Sequence, residues 1–296
     1  MARAAELRAR NAAFWEQAAP GWIRHAERQD DFGRPLGAAA IDRLRAMPGE
    51  RILDVGCGCG GTTAELATAV GPTGVAVGVD LSEAMVAAAG QRFSQQPQFV
   101  AGAGKRLSRP EFVAGDIETM AAVPGAPFDA VYSRMTLMVL ADPIAGLTAI
   151  ARSLRPGGRL AASVFRDAAS VPWLPAAVLG AAPHVGALPP LPLGDEPGPF
   201  AFADPARIRR ILTAAGIGAV VIEPWDVTLE PPDEPDLVAG WLIEIGPAGA
   251  AYREATSQAQ ASARSGAVRL LERFRTPGVG YRFPAGIWLL TAELGG

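Results

Sequence analysis

Residues 50–61 read Glu-Arg-Ile-Leu-Asp-Val-Gly-Cys-Gly-Cys-Gly-Gly. The apolar run Ile52, Leu53, Val55 enters a Gly-x-Gly-x-Gly turn. An acid, Asp54, stands just before that turn, and a helix-forming stretch from Thr62 to Val70 follows it. Glycine tolerates positive φ and, having no Cβ, lets a ligand come close to the backbone. A strand, a glycine turn and a helix in succession form the entrance to a doubly wound α/β sheet, whose ligands sit beyond the carboxyl ends of the strands. The pattern implies a nucleotide-like cofactor.

The chain keeps that rhythm. Further strands are predicted at 74–79, ending at Asp80; at 111–114, ending at Gly115-Asp116; at 128–133; and at 159–165. Ser82 is placed to cap the helix after the second strand. Asp142-Pro143 starts another helix, with Asp as cap and Pro at its first position. Its expected inward face is Ile144, Leu147, Ala151 and Leu154, and Pro156-Gly157-Gly158 stops it. A helix from Asp204-Pro205 to Gly216 turns Ile208, Ile211, Leu212 and Ala215 inward. Alternation of this kind predicts a parallel sheet with helices on both faces. The segments 218–229 and 280–293 are expected to pair antiparallel at one edge.

Three stretches depart from the rhythm. Residues 1–34 are expected to form a helical lid, broken at Pro20-Gly21, with a second helix at 36–47. Within 35–296, the segments 167–203 and 231–276 are rich in Pro and large apolar side chains, among them Trp173, Leu188, Leu191 and Trp241. They are expected to cap the strand ends, where long connections carry function. Residues 93–110 form a surface insertion with a small basic cluster, Lys105, Arg106 and Arg109.

Composition narrows the partners. The formal net charge is −3, against an extended nucleic-acid face, which is usually basic. No apolar run reaches the roughly 18 residues of a membrane span, and the first residues lack a signal-peptide core. A cytoplasmic protein, monomeric or homodimeric, is expected. The two cysteines, Cys57 and Cys59, both lie in the glycine turn, too few for a metal site by themselves.

Two cofactor classes fit the turn. Gly56-x-Gly58-x-x-Gly61 satisfies the dinucleotide fingerprint, with Asp80 as ribose acid. Asp54, however, is a poor neighbour for a pyrophosphate and a good one for a cation. Asp80 can accept from ribose hydroxyls, and Asp116 from an adenine amino group.

Together, Leu53-Asp54-Val55-Gly56-Cys57-Gly58-Cys59-Gly60, Asp80, Gly115-Asp116 and Leu154-Arg155-Pro156-Gly157-Gly158 resemble the motifs of the class I S-adenosylmethionine-dependent methyltransferases. Ser133-Arg134-Met135, Ala141-Asp142-Pro143 and Gly198-Pro199-Phe200-Ala201-Phe202 resemble segments of the ubiquinone- and menaquinone-biosynthesis (type 11) members. The 93–110 stretch departs from their pattern. The resemblance implies a Rossmann-like seven-stranded sheet of order 3-2-1-4-5-7-6 with the last strand antiparallel. It implies S-adenosylmethionine as cofactor, leaving as S-adenosylhomocysteine. It assigns Asp54, Gly56, Cys57, Gly58, Gly60, Asp80, Leu81, Met85, Asp116, Ile117, Ser133 and Met135 to the cofactor site. Trp15 and Trp22, seven residues apart in the lid, would close over it or simply dock on the sheet.

The expected reaction is displacement at a sulfonium methyl by O, N or C of a small, largely apolar or aromatic metabolite, in secondary or cofactor metabolism. His25 is a candidate general base because its ordinary pKa lies near neutrality. RNA or protein methylation and a non-catalytic cofactor-binding protein are the alternatives, with a nicotinamide enzyme behind them.

Overall fold

Five parallel strands open the sheet in a computed structural model that describes residues 2–96, 99, 107–186, 192 and 194–295. They are β1 (Arg51–Val55), β2 (Val75–Asp80), β3 (Glu111–Ala114), β4 (Phe128–Arg134) and β5 (Leu154–Phe165). Helices α3 (Gly61–Val70), α4 (Glu83–Ser94) and α5 (Pro143–Ser153) connect them. After α6 (Leu174–Val185) and α7 (Pro205–Ala214) come β6 (Val221–Leu229) and a cap of α8 (Pro235–Ile245), α9 (Gly249–Glu254) and α10 (Ser257–Leu271). The last strand, β7 (Phe283–Glu293), inserts between β5 and β6 and runs antiparallel to both. The resulting order is β3-β2-β1-β4-β5-β7-β6, the one the family resemblance implies.

Strand side chains alternate between two cores. Leu53, Val55, Val77, Val79 and Val131 pack with Leu147 and Ile150 of α5 and with Ile208, Ile211 and Leu212 of α7. Ile52, Ala76, Ala130, Tyr132 and Ala161 face the opposite way, onto α3 and the second N-terminal helix. The caps at Ser82, Asp142 and Asp204 each accept backbone N–H groups of the first turn, as expected. Ile144 was expected inward but is 43% exposed, so the buried face of α5 begins at Gly146 and Leu147.

The N-terminal helices break elsewhere than Pro20. Helix α1 (Ala2–Arg24) runs through Pro20, and α2 (Ala26–Leu44) starts after His25. Tertiary contact overrides the local breaker: a Cβ on Gly21 would lie 2.5 Å from the Glu244 carbonyl oxygen, so α8 braces the backbone there. Helix α2 also continues across residue 34, so lid and sheet share one element. It lies close on β4 because Gly37 has no side chain; a Cβ there would meet the Tyr132 hydroxyl at 2.1 Å. That hydroxyl donates to the Gly37 carbonyl at 3.3 Å.

In the cap, α6 and α10 cross tightly, Gly180 against the Ala267 backbone. Residues Gly280–Tyr281 pair with Arg275–Thr276 as a two-residue ribbon ahead of β7. Lys105, Arg106, Leu188 and Leu191 lie outside the described residues. Among the described residues, no helix is long and apolar enough to cross a membrane.

Candidate active site

The glycine turn closes on itself and on β2. Gly56 and Cys57 donate to the Val79 carbonyl at 2.8 and 3.2 Å, and Gly60 donates to Cys57 at 2.9 Å. Gly56 has φ of +76°, and a Cβ there would collide with Thr136 Oγ1 at 1.9 Å. Gly58 has φ of +51° and opens outward: a Cβ on it would meet nothing within 4 Å. Only glycine fits the first position sterically, while the second leaves room for a ligand against the backbone.

Three acids line the strand ends. Asp80 accepts from Gly58 N and Ser82 N, both at 2.9 Å, which fixes its carboxylate against the turn. Burial pushes its pKa up, against the pull of those amides. Asp116 accepts from Glu118 N at 2.9 Å and caps its own turn, and Gly115 N donates to the Asp80 carbonyl at 2.9 Å. Asp54 is 2% exposed, and its Oδ2 accepts from Thr63 Oγ1 at 2.7 Å. Burial pushes its pKa up to about 7; the Thr63 bond and Arg134 oppose this, while Asp80 and Asp30 add to it. Such a carboxylate attracts a cation and repels a phosphate.

The other sequence-assigned residues fall around these acids. Met85 and Cys59 are buried under Trp15, Ala19 and Trp22 of α1, so the lid lies on the turn. The two indoles meet edge to face at 5.7 Å. Cys57 and Cys59 are buried free thiols; burial pushes both up, Cys59 to about 12. Leu81 is half-buried beside Asp80, and Ile117 is buried after Asp116. Ser133 is fully buried and donates to the Val55 carbonyl at 3.0 Å, tying β4 to β1. Met135 takes φ of +57° and donates to Ser163 O at 2.8 Å. A non-glycine residue held there is uncommon and marks a constrained turn.

His25 sits at the junction of lid and cap. Its Nε2 faces Glu244 Oε2 at 3.2 Å, and Arg28 Nη1 lies 3.2 Å from its Nδ1. Both ring nitrogens are engaged. Arg24 also donates to Glu244 at 2.9 Å, and Trp22 Nε1 donates to Ile245 O at 3.0 Å. These bonds latch α1 and α2 to α8.

Three site residues were missed by sequence reading. Arg134, at the end of β4, acts electrostatically on Asp54 and on Asp30. With Arg92 and Asp30 it lines a cleft of about 360 Å³ at the start of α3. Asp30 of α2 bonds Arg92 Nη1 at 2.5 Å, and burial raises its pKa against that pull. Glu118 accepts from Ala141 N and Asp142 N, both at 2.7 Å, pinning the loop after β3 to the start of α5. Only the Ser133-Arg134-Met135 string hinted at any of them.

The set fits a sulfonium nucleoside: a buried acid for the cationic amino-acid end, an amide-fixed acid for ribose, a third for adenine, and open backbone at Gly58 between them.

Comparison with known proteins bears on the family and the fold. A family model described as a methyltransferase domain matches residues 53–162. Nocamycin O-methyltransferase of Saccharothrix syringae is 32% identical over 231 residues, 73% of this chain and 76% of that protein. Demethylmenaquinone methyltransferase of Beutenbergia cavernae is 38% identical over 140 residues, 46% of this chain and 48% of that one. This chain therefore spans about half the length of that second relative. Among solved structures, phosphoethanolamine N-methyltransferase 2 of Haemonchus contortus, in complex with S-adenosyl-L-methionine, shares the fold with a TM-score of 0.50. That likeness is at 18% identity over 88% of this chain and 52% of that one.

Proposed function

The chain belongs to the S-adenosylmethionine-dependent methyltransferases, and on that premise we propose that it methylates an oxygen of a small, largely apolar or aromatic metabolite of secondary metabolism. The observation that carries the reading is Asp54: a buried carboxylate at the mouth of the glycine turn, hydrogen-bonded to a threonine hydroxyl, with its pKa drawn up to about 7. The choice of oxygen is supported by the O-methyltransferase matched over three-quarters of its length.

The cofactor, when bound, supplies a methyl group already activated on a positively charged sulfur. The chain's work is then alignment and exclusion of water. Asp54 holds the cationic amino group, and Arg134 the carboxylate beside it. Asp80, already fixed by two amides, keeps lone pairs for the ribose hydroxyls. Asp116 accepts from the adenine amino group, with Leu81, Met85 and Ile117 as apolar walls. Trp15 and Trp22 cover the site. His25 serves as a latch rather than a base, its ring nitrogens facing Glu244 and Arg28. An acidic enol or phenol suits such a site, since it can enter already ionised, having left its proton in bulk solvent.

Calorimetric titration with S-adenosylhomocysteine tests the reading. Micromolar binding is expected, weakened at least tenfold in Asp80→Ala. Absence of binding to the unaltered chain would overturn it.

A further inference from the structure

The cleft of about 360 Å³ beside the glycine turn is walled by charged side chains from several elements. Helix α2 contributes Asp30 and Arg34, four residues apart and so on one helix face. The start of α3 contributes Gly61, α4 contributes Arg92, and Arg134 enters from the end of β4.

Most of these charges are already matched. Arg34 pairs with Asp31 at 3.5 Å and with Glu65 at 3.7 Å. Arg92 Nη1 bonds Asp30 Oδ2 at 2.5 Å. Two groups are left over. Among the described residues, the Arg134 guanidinium makes no hydrogen bond and no ion pair. It lies against α2 at Gly33, where a Cβ would come within 3.3 Å of its Cζ. Asp30 Oδ1 likewise accepts no hydrogen bond among the described residues, since Arg92 engages only Oδ2. A guanidinium has five N–H donors and a carboxylate about four acceptor sites, so both groups have capacity to spare. An unmatched cation and an unmatched anionic oxygen in one cleft are the complement of a zwitterion. The two feel each other: the Arg134 charge opposes the rise that burial imposes on the Asp30 pKa.

The cleft also lies where the amino-acid end of the cofactor has to go. It starts at Gly61, directly after the turn, and Gly58 opens outward three residues earlier. The Asp30 carboxylate already fills the anion position at the start of α3, on Gly61. A ligand carboxylate is repelled from that position and left to Arg134. Asp54 is 2% exposed, with Oδ2 held by Thr63, so its charge acts from behind the cleft wall.

We propose that Asp30 and Arg134 together seat the amino-acid end of the cofactor in this cleft, Asp30 Oδ1 accepting from the ammonium group and the Arg134 guanidinium donating to the carboxylate. The assignment rests on the cofactor reading above and adds the lid residue Asp30 to it. Because Asp30 belongs to α2, the contact also ties the lid helix to the bound cofactor.

The test compares three ligands by calorimetry on the full chain. They are S-adenosylhomocysteine, its analogue without the ammonium group, 4-(5′-adenosylthio)butanoate, and its analogue without the carboxylate, 5′-(3-aminopropylthio)-5′-deoxyadenosine. Asp30→Asn should weaken S-adenosylhomocysteine and the aminopropyl analogue by about tenfold each, the worth of one charge-assisted hydrogen bond, and leave the butanoate within about threefold. Arg134→Met should do the reverse, weakening S-adenosylhomocysteine and the butanoate by about tenfold and sparing the aminopropyl analogue. Arg92→Met removes the clamp on Asp30 but keeps its carboxylate, so the ratio of the three affinities should stay within about threefold of the parent's. Equal weakening of all three ligands in Asp30→Asn, no weakening of any, or an Arg92→Met variant that reproduces the Asp30→Asn pattern would overturn the proposal while S-adenosylhomocysteine still binds. Absence of S-adenosylhomocysteine binding to the unaltered chain would overturn the cofactor reading and this proposal with it.

Discussion

The Asp30 carboxylate of α2 occupies the space that a side chain at Gly61 would need: a Cβ there would lie 2.1 Å from Asp30 Cγ. The first residue of α3 and the lid helix therefore touch along one wall of the cleft, and Arg92 of α4 clamps Asp30 in place. The negative carboxylate also complements the positive end of α3.

Gly61→Ala should consequently push Asp30 off the turn. Overpacking of this kind costs about 1–3 kcal/mol. In a chain of this size, that is a melting-temperature drop of several degrees, about 2–4 °C per kcal/mol. Thermal unfolding checks the drop. Faster tryptic cleavage within α1 and α2 should accompany it, since the displaced contact belongs to the lid.

Asp54 predicts a pH dependence of cofactor binding. Its folded pKa, about 7, lies above its ordinary value of 3.8. Between those values the folded chain holds a proton that the unfolded chain has lost. Stability of the ligand-free protein therefore falls as pH rises through that window. Binding of a cation runs the other way, because it needs the ionised form. S-adenosylmethionine affinity should rise as pH goes from 6 to 8, and at pH 6 it should be about tenfold weaker than its plateau. Titration calorimetry at several pH values checks this; Asp54→Asn should bind weakly and lose the slope.

The His25–Glu244 latch predicts loosening in acid. Burial lowers the His25 pKa below 6.5, with Arg28 and Arg24 adding to that and Glu244 opposing it. The unfolded chain then takes up the proton first, so the stability of the latch falls as pH drops below 6.5. Protection factors of the α1 amides, corrected for intrinsic exchange at each pH, should be lower at pH 5.5 than at pH 7.5. His25→Phe should abolish that difference. Glu244→Gln should raise α1 exchange at both pH values.

The cysteines report lid closure. Cys59 lies under Trp15 and Trp22, with its thiol pushed up to about 12, and burial raises Cys57 as well. Neither should react with iodoacetamide at pH 7.5 on a timescale that labels the unfolded chain fully, since the thiolate is the nucleophile. Trp15→Ala should expose Cys59 and raise its labelling about tenfold or more. Mass spectrometry of the alkylated chain distinguishes the two sites. Equal labelling in variant and parent would mean that the indole does not cover the turn.

The sheet was legible in the sequence because its first three strands are short apolar runs ending in an acid or a glycine turn, marked by Asp54, Asp80 and Asp116. The antiparallel edge followed from two apolar runs left over after the alternating part. Other features were hidden because distant packing decides them. Pro20 reads as a break, yet α8 braces Gly21 and the helix continues. Asp30, Glu118 and Arg134 look like ordinary surface charges until α2, β4 and the loop before α5 come together. His25 looks like a free imidazole until Glu244, 219 residues away, meets it.

The central place of β7 sets an order on biosynthesis. It fills the slot between β5 and β6, although more than 50 residues separate it from β6 along the chain. While the ribosome is still extending α8 to α10, β5 and β6 each present an unmatched row of amides and carbonyls, the template on which stray chains aggregate. The nascent protein reaches its full sheet only when the segment 283–293 emerges from the exit tunnel.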